Sequence, residues 1–231
     1  MEFMLLFTER KGDPCEPSGF ADMKKFSGEV ASRGRLRRGA PLAPDSAAAL
    51  VRVHDGKALV SDGPFAESKE VVGGFWIVDV ASREEAIEIA RRSPHARYGS
   101  VELHALRSRH IFRDSGKDTP FLLAFRMEPG LTDPDGAKMR EMIEFGHHLE
   151  REGKLLETAP LTDDPPPARV QVRGTKSLVT DGPFAEAKEA VGGYSLLRVG
   201  GRDEAIDLAK RYPHARWGPV EVREILFFDP V

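Results

Sequence analysis

Cysteine is nearly absent from these 231 residues: Cys15 is the single thiol. It has no partner for an internal disulfide and no second thiolate with which to build a zinc site, so a reducing cytoplasm is the expected compartment. Excess charge of one sign is also missing, with 34 Lys and Arg against 37 Asp and Glu and a net charge of -3. A dedicated nucleic-acid or anionic-membrane binder carries a basic surplus, so direct nucleic-acid binding is not expected. The densest basic group, Arg33, Arg35, Arg37 and Arg38, suits alternation on a strand or a solvated helix end. No stretch approaches the roughly 18 apolar residues that cross a bilayer, and the first residues lack a basic segment with a long apolar core and cleavage site. There is no HExxH, no His-x-x-x-His, no G-x-S-x-G and no glycine-rich loop ending in GK(S/T). No metal or cofactor is expected. The adjacent His147 and His148 would point about 100° apart on a helix instead of converging on one ion.

What the chain does contain is the same passage twice. DGPFAESKEVVGG starts at Asp62 and DGPFAEAKEAVGG at Asp181, 119 residues later, and each leads through an apolar strand and a helix to PHARYG or PHARWG. Between Lys57–Leu106 and Lys176–Ile225, roughly 28 of 50 positions are identical without a gap, a density that excludes chance. Near the start, MEFMLLF still aligns with PFLLAF after a one-residue slip. A repeat this long is a domain, not a solenoid unit. The expected organisation is a first copy over 1–106, a linker over 107–119 and a second copy over 120–231.

Within one copy the pattern reads strand, helix, two or three strands, helix, strand. Glu2–Thr8 is a short apolar run; Phe20, Met23, Phe26 and Val30 recur at helical spacing and stop before Gly34, as the second copy does before Gly153. Asp55 and Gly56 stand where a tight hairpin needs positive φ. Ser82 and Glu85 form a capping box, Pro94 ends that helix, and Ser100–Leu106 closes the unit. This order suits a four-stranded antiparallel sheet with both helices on one face. Met4–Phe7, Phe75–Val80 and their counterparts are apolar on both sides, so the second face needs cover, and the other copy is its expected source. The expected fold is α+β, two ferredoxin-like domains stacked as a pseudo-twofold, intramolecular dimeric α/β barrel.

The DGPFAE(S/A)KE segment, the strand-opening GG and P-H-A-R-(Y/W)-G-x-V-E resemble the DGPF branch of the YCII-related family over both copies nearly end to end. That resemblance implies a ferredoxin-like dimeric α+β barrel, usually made by two chains. For function it implies a range from small-molecule enzymes to accessory proteins encoded beside extracytoplasmic-function sigma factors. Shorter YciI-type relatives imply a histidine and aspartate pair; around that helix position this chain has Met23 and Met142, and the nearest histidines, His147 and His148, occur in the second copy alone.

Asp62 and Asp181 open turns, Pro64 and Pro183 restrain the glycine before them, and Phe65 and Phe184 can plug an apolar hole, all structural roles. On the functional reading Asp62, Glu67, Lys69 and Glu70, with Asp181, Glu186, Lys188 and Glu189, line a cavity mouth as acid, base or ligand contacts. His95 and Arg97, repeated as His214 and Arg216, either cover the last carbonyls of a helix or hold a small polar or anionic ligand. Glycines 73, 74, 192 and 193 mark a bulge or a close ligand approach, the bulge preferred. Trp76 stands opposite Ser195, and Phe75 opposite Tyr194, so one open pocket is expected near the second copy and a partly blocked one in the first. Two functions remain: a small-molecule enzyme or binding protein, and an accessory regulatory module acting on a sigma factor or other transcription regulator, with further self-association of the pseudo-dimer left open.

Overall fold

Each half opens with a strand that is apolar on both faces, and the structure uses both. In the computed structural model, which describes residues 1–10, 17–65, 70–112, 118–127, 130–182 and 190–228, strand β1 spans Glu2–Arg10. There follow α1 (Pro17–Ser32), β2 (Leu36–Pro41), β3 (Ala49–His54), β4 (Lys57–Asp62), β5 (Glu70–Asp79), α2 (Arg83–Arg92) and β6 (Ser100–Leu106). A short β7 (His110–Ile111) precedes the second half: β8 (Thr119–Met127), α3 (Ala137–Arg151), β9 (Leu155–Thr162), β10 (Ala168–Arg173), β11 (Lys176–Asp181), β12 (Ala190–Val199), α4 (Arg202–Arg211) and β13 (Val220–Glu224). The pairing orders β2-β5-β1-β6 and β9-β12-β8-β13 are ferredoxin-like, with both helices of each half on one face.

The local signals behave as their chemistry requires. Asp55 and Gly56 adopt φ of 49° and 73° in the β3–β4 turn, and Gly34 and Gly153 close α1 and α3 at 66° and 68°. Ser82 accepts from the Glu85 amide at 3.2 Å while the Glu85 carboxylate accepts from Ala81 N at 2.8 Å, which caps α2. The paired glycines make bulges. Phe7 pairs with Gly74 and Thr8 with Val72, so Gly73 is the extra residue; Gly192 is its counterpart between Val191 and Gly193.

Alternation sorts the strands' side chains between three cores. Phe3, Leu5, Phe7, Trp76 and Val78 lie under α1 and α2; Phe121, Leu123, Phe125, Leu197 and Val199 lie under α3 and α4. Met4, Leu6, Phe75 and Ile77 instead meet Leu122, Ala124, Tyr194 and Leu196 in a cluster drawn from both halves. Each such side chain contributes roughly 1.5–3 kcal/mol on burial. The halves also join at two equivalent edges, Leu106 with Leu161 in β6–β9 and Leu42 with Ile225 beside β2 and β13. Arg38 and Glu157, which occupy equivalent positions in the two copies, bond at 2.8 Å across the seam. The fully buried Glu157 also accepts from Tyr194 at 2.6 Å. The segment between the copies is more than a tether: His110–Ile111 pairs with β9, and Arg109 bridges Glu2 at 2.6 Å to Glu157.

One feature of the pairing is not encoded in the alternation pattern. The β3–β4 hairpin leaves its own half and adds to β13, with Val51 opposite Val220, while β10–β11 adds to β6, with Val170 opposite Val101. Ala49 and Val51 are thereby buried in the second half's helix-side core, and Ala168 and Val170 in the first's. Each half lends the other a hairpin.

Candidate functional site

The repeated PHAR segment forms a short 3-10 turn after α2 and after α4. In it the His95 Nε2 lies 2.9 Å from the Thr8 carbonyl, and His214 Nε2 lies 2.8 Å from that of Arg126. A carbonyl oxygen only accepts, so Nε2 carries the proton and Nδ1 holds the lone pair of the neutral ring. Burial pushes both imidazoles below their ordinary pKa, with the carbonyl bond acting in the opposite sense. The glycine four residues on makes this contact possible. A Cβ on Gly99 would run into the Thr8 carbonyl and stand 2.5 Å from His95 Nε2, and one on Gly218 would strike the Arg126 carbonyl and reach 3.0 Å from His214 Nε2. PHAR-x-G is thus a latch that ties the end of a helix to the first strand of its half, not a cover for the helix's last carbonyls.

The neighbouring guanidinium turns the other way. Arg97 is exposed, and its carbonyl accepts from Arg173; Arg216 pairs with Glu141 and lies 5.3 Å from the Trp217 ring. Histidine and arginine therefore form no joint anion clamp in either half.

The DGPF aspartates follow the exchanged hairpins. Asp62, at the end of β4, pairs with Arg202 at the start of α4; Asp181, at the end of β11, pairs with Arg83 at the start of α2. The same arginines donate to backbone carbonyls of the hairpin bases, Arg202 to Ala47 and Ala48, Arg83 to Pro166. Both carboxylates are exposed, so these are reciprocal surface clasps between the halves. Glu67, Lys69, Glu186, Lys188 and Glu189 lie outside the described residues, as do Pro183, Phe184 and Cys15. Glu70 pairs with Arg169 at 3.0 Å. Of the ten predicted site residues, His95 lines the cavity described next, and the five other described ones stand elsewhere.

That cavity, of about 190 Å³, lies between α1 and the sheet of the first half. Phe7 and Glu9 of β1, Phe20, Met23 and Lys24 of α1, Gly73, Gly74 and Trp76 of β5, and His95 form its walls, and Phe227 reaches over from the end of the second half. Phe20 and Phe227 meet edge to face at 6.0 Å at the mouth, while Leu226 N is bonded to the Pro41 carbonyl at 3.1 Å and Arg38 lies over the Phe228 ring at 4.8 Å. The Glu9 carboxyl is raised above its ordinary pKa by burial, with Arg223 pulling it down.

The expectation of an open pocket in the second half is overturned. Ser195 does leave room where the first half has Trp76, but Tyr212, which replaces Ser93, fills it. Its hydroxyl lies 2.7 Å from Ser195 Oγ, and its ring packs 4.8 Å from both Phe125 and Phe145. Trp76 touches the equivalent rings, Phe7 at 5.1 Å and Phe26 at 5.8 Å. Burial pushes the Tyr212 phenol up to about 12. Met127, the counterpart of Glu9, completes the plug: its side chain covers Gly192, where a Cβ would meet Sδ at 2.5 Å. The sequence held this signal in the paired exchange of Trp76/Ser93 for Ser195/Tyr212.

His147 and His148 engage different partners on the α3 surface, Glu150 and Glu152. Among the described residues no helix is long and apolar enough to cross a membrane.

Comparison with known proteins agrees with the repeat. The YCII-related domain matches residues 1–108 and again 119–229. An uncharacterized protein of Rhizobium meliloti (strain 1021), R00369, is 39% identical over 87 residues, covering 37% of this chain and 70% of that protein. A crystal structure described as a candidate chlorite dismutase, TA0507, aligns over 98% of this chain and 94% of its own at 8% identity, with a TM-score of 0.38. Matched in both halves, the chain belongs to the YCII-related domain family and carries that domain as a tandem duplication.

Proposed function

We propose that this protein binds a small molecule in the cavity of its first half, on a scaffold that is the single-chain form of a dimeric α/β barrel. The barrel reading is supported by the shared inter-sheet core and by the two equivalent edge junctions, Leu106 with Leu161 and Leu42 with Ile225. The observation that carries the functional reading is the asymmetry of two nearly equivalent positions. Trp76 and Tyr212 each fill the same ring position in their own half, but in the second half Met127 lies over Gly192, while in the first half Glu9 and Gly73 line open space. A cavity of roughly 150 Å³ accommodates benzene, so about 190 Å³ suits a compound of one ring or its equivalent. Glu9, with its raised pKa, and the neutral His95 ring are groups able to take or give a proton there.

The test transplants the plug. A variant carrying Glu9→Met, Trp76→Ser and Ser93→Tyr gives the first half the second half's filling. A thermal-shift screen of a metabolite library should find compounds that stabilise the natural chain and leave this variant unmoved. Equal stabilisation of both by every hit would place binding elsewhere and defeat the proposal.

A further inference from the structure

We infer that the first-half cavity recognises a small organic ammonium ion. This rests on the cavity being the ligand site, and it concerns the class of ligand. Four aromatic residues, Phe7, Phe20, Trp76 and Phe227, share the lining with one carboxylate, Glu9. Ring faces carry negative potential and attract cations within about 6 Å, and a set of rings around one point is the usual receptor for an alkylated ammonium. Glu9 is half-buried, so its charged form is short of solvent, and an arriving cation replaces part of that lost solvation. His95 adds no opposing charge, because burial favours its neutral ring.

The comparison between halves points the same way. At the positions of Glu9, Phe20, Trp76 and Phe227 the other half has Met127, Met139, Ser195 and Ser108. The acid and three of the four rings are thus found together only where space is left. Two cations bear on the site. Lys24 is an exposed residue of α1 whose flexible ammonium is free to stay in water, and Arg223 acts on Glu9 from the inter-sheet side, where it is held by Glu221 at 3.1 Å and by the Ala43 carbonyl at 2.6 Å.

Three probes of one shape and different charge decide the matter by calorimetric titration: choline, the neutral 3,3-dimethylbutan-1-ol and the anionic 3,3-dimethylbutanoate. Choline should bind about tenfold more tightly than the alcohol, and the acid should not bind. Glu9→Gln should cut choline affinity about tenfold and leave the alcohol unchanged. Phe227→Ala, at an exposed residue of the tail, should weaken choline without lowering the melting temperature. The alcohol or the acid binding as well as choline would overturn the ammonium assignment and leave the cavity standing as a site. If none of the three binds, the ammonium assignment also falls, and the plugged variant in the library screen decides the cavity separately.

Discussion

Exchanging the plugs between halves gives a strong quantitative test of the packing. Tyr212→Ser removes a buried ring that touches Phe125 and Phe145, and truncations of this size cost about 3–5 kcal/mol when the site cannot collapse. Ser195→Trp alone forces an indole into space that Tyr212 already occupies and should cost about 1–3 kcal/mol or more. Together they rebuild the first half's arrangement of Trp76 against Phe7 and Phe26, so the double variant should lie within about 2 kcal/mol of the natural chain. The remaining deficit reflects Thr158, which loses its 2.9 Å partner Ser195 Oγ. Urea unfolding of the natural chain and the three variants yields the coupling energy directly, with constant m-values as the check on two-state behaviour. Additive losses, with the double variant about 4–8 kcal/mol less stable, would show that the two residues do not share one space.

Gly99→Ala should destabilise by on the order of 1–3 kcal/mol or more, since its Cβ meets the Thr8 carbonyl, a backbone atom that cannot swing aside; chemical denaturation measures it. Because burial holds His95 and His214 below their ordinary pKa of about 6.5, the unfolded chain binds protons below that pH that the folded chain refuses. Stability should therefore fall as pH drops below about 6.5, and urea midpoints should show a shallower fall for His214→Gln. Asp62→Asn and Asp181→Asn should each cost about 0–1 kcal/mol, the worth of exposed ion pairs, and leave the exchanged hairpins in place. Glu157→Ala should cost about 3–5 kcal/mol by leaving Arg38 and Arg109 without their shared carboxylate; thermal melts test both claims.

Much of the architecture was legible because it follows from local chemistry. The two-sided apolar strands called for a second core, and Met4, Leu6, Phe75 and Ile77 supply it with their counterparts. The turn at Asp55–Gly56, the α2 cap and the bulges at glycines 73 and 192 were signalled by residues whose conformational needs are specific. The hairpin exchange was not legible. Alternation in Ala49–His54 shows that one face is buried, yet it does not say which half's sheet does the burying. The partner of His95 was hidden for a related reason, since a backbone carbonyl leaves no residue type to read. Position 195 compared with 76 points to an open pocket in the second half; only position 212 compared with 93 shows that Tyr212 takes up the space that Ser195 leaves.

The most direct test is a crystal structure of the chain with the strongest stabiliser from the metabolite screen bound. Density for the compound should fill the space among Phe7, Glu9, Trp76 and Phe227, with the side chain of Tyr212 undisturbed in the second half. Equal occupancy beside His95 and His214, or a compound seated between the two sheets, would contradict the account.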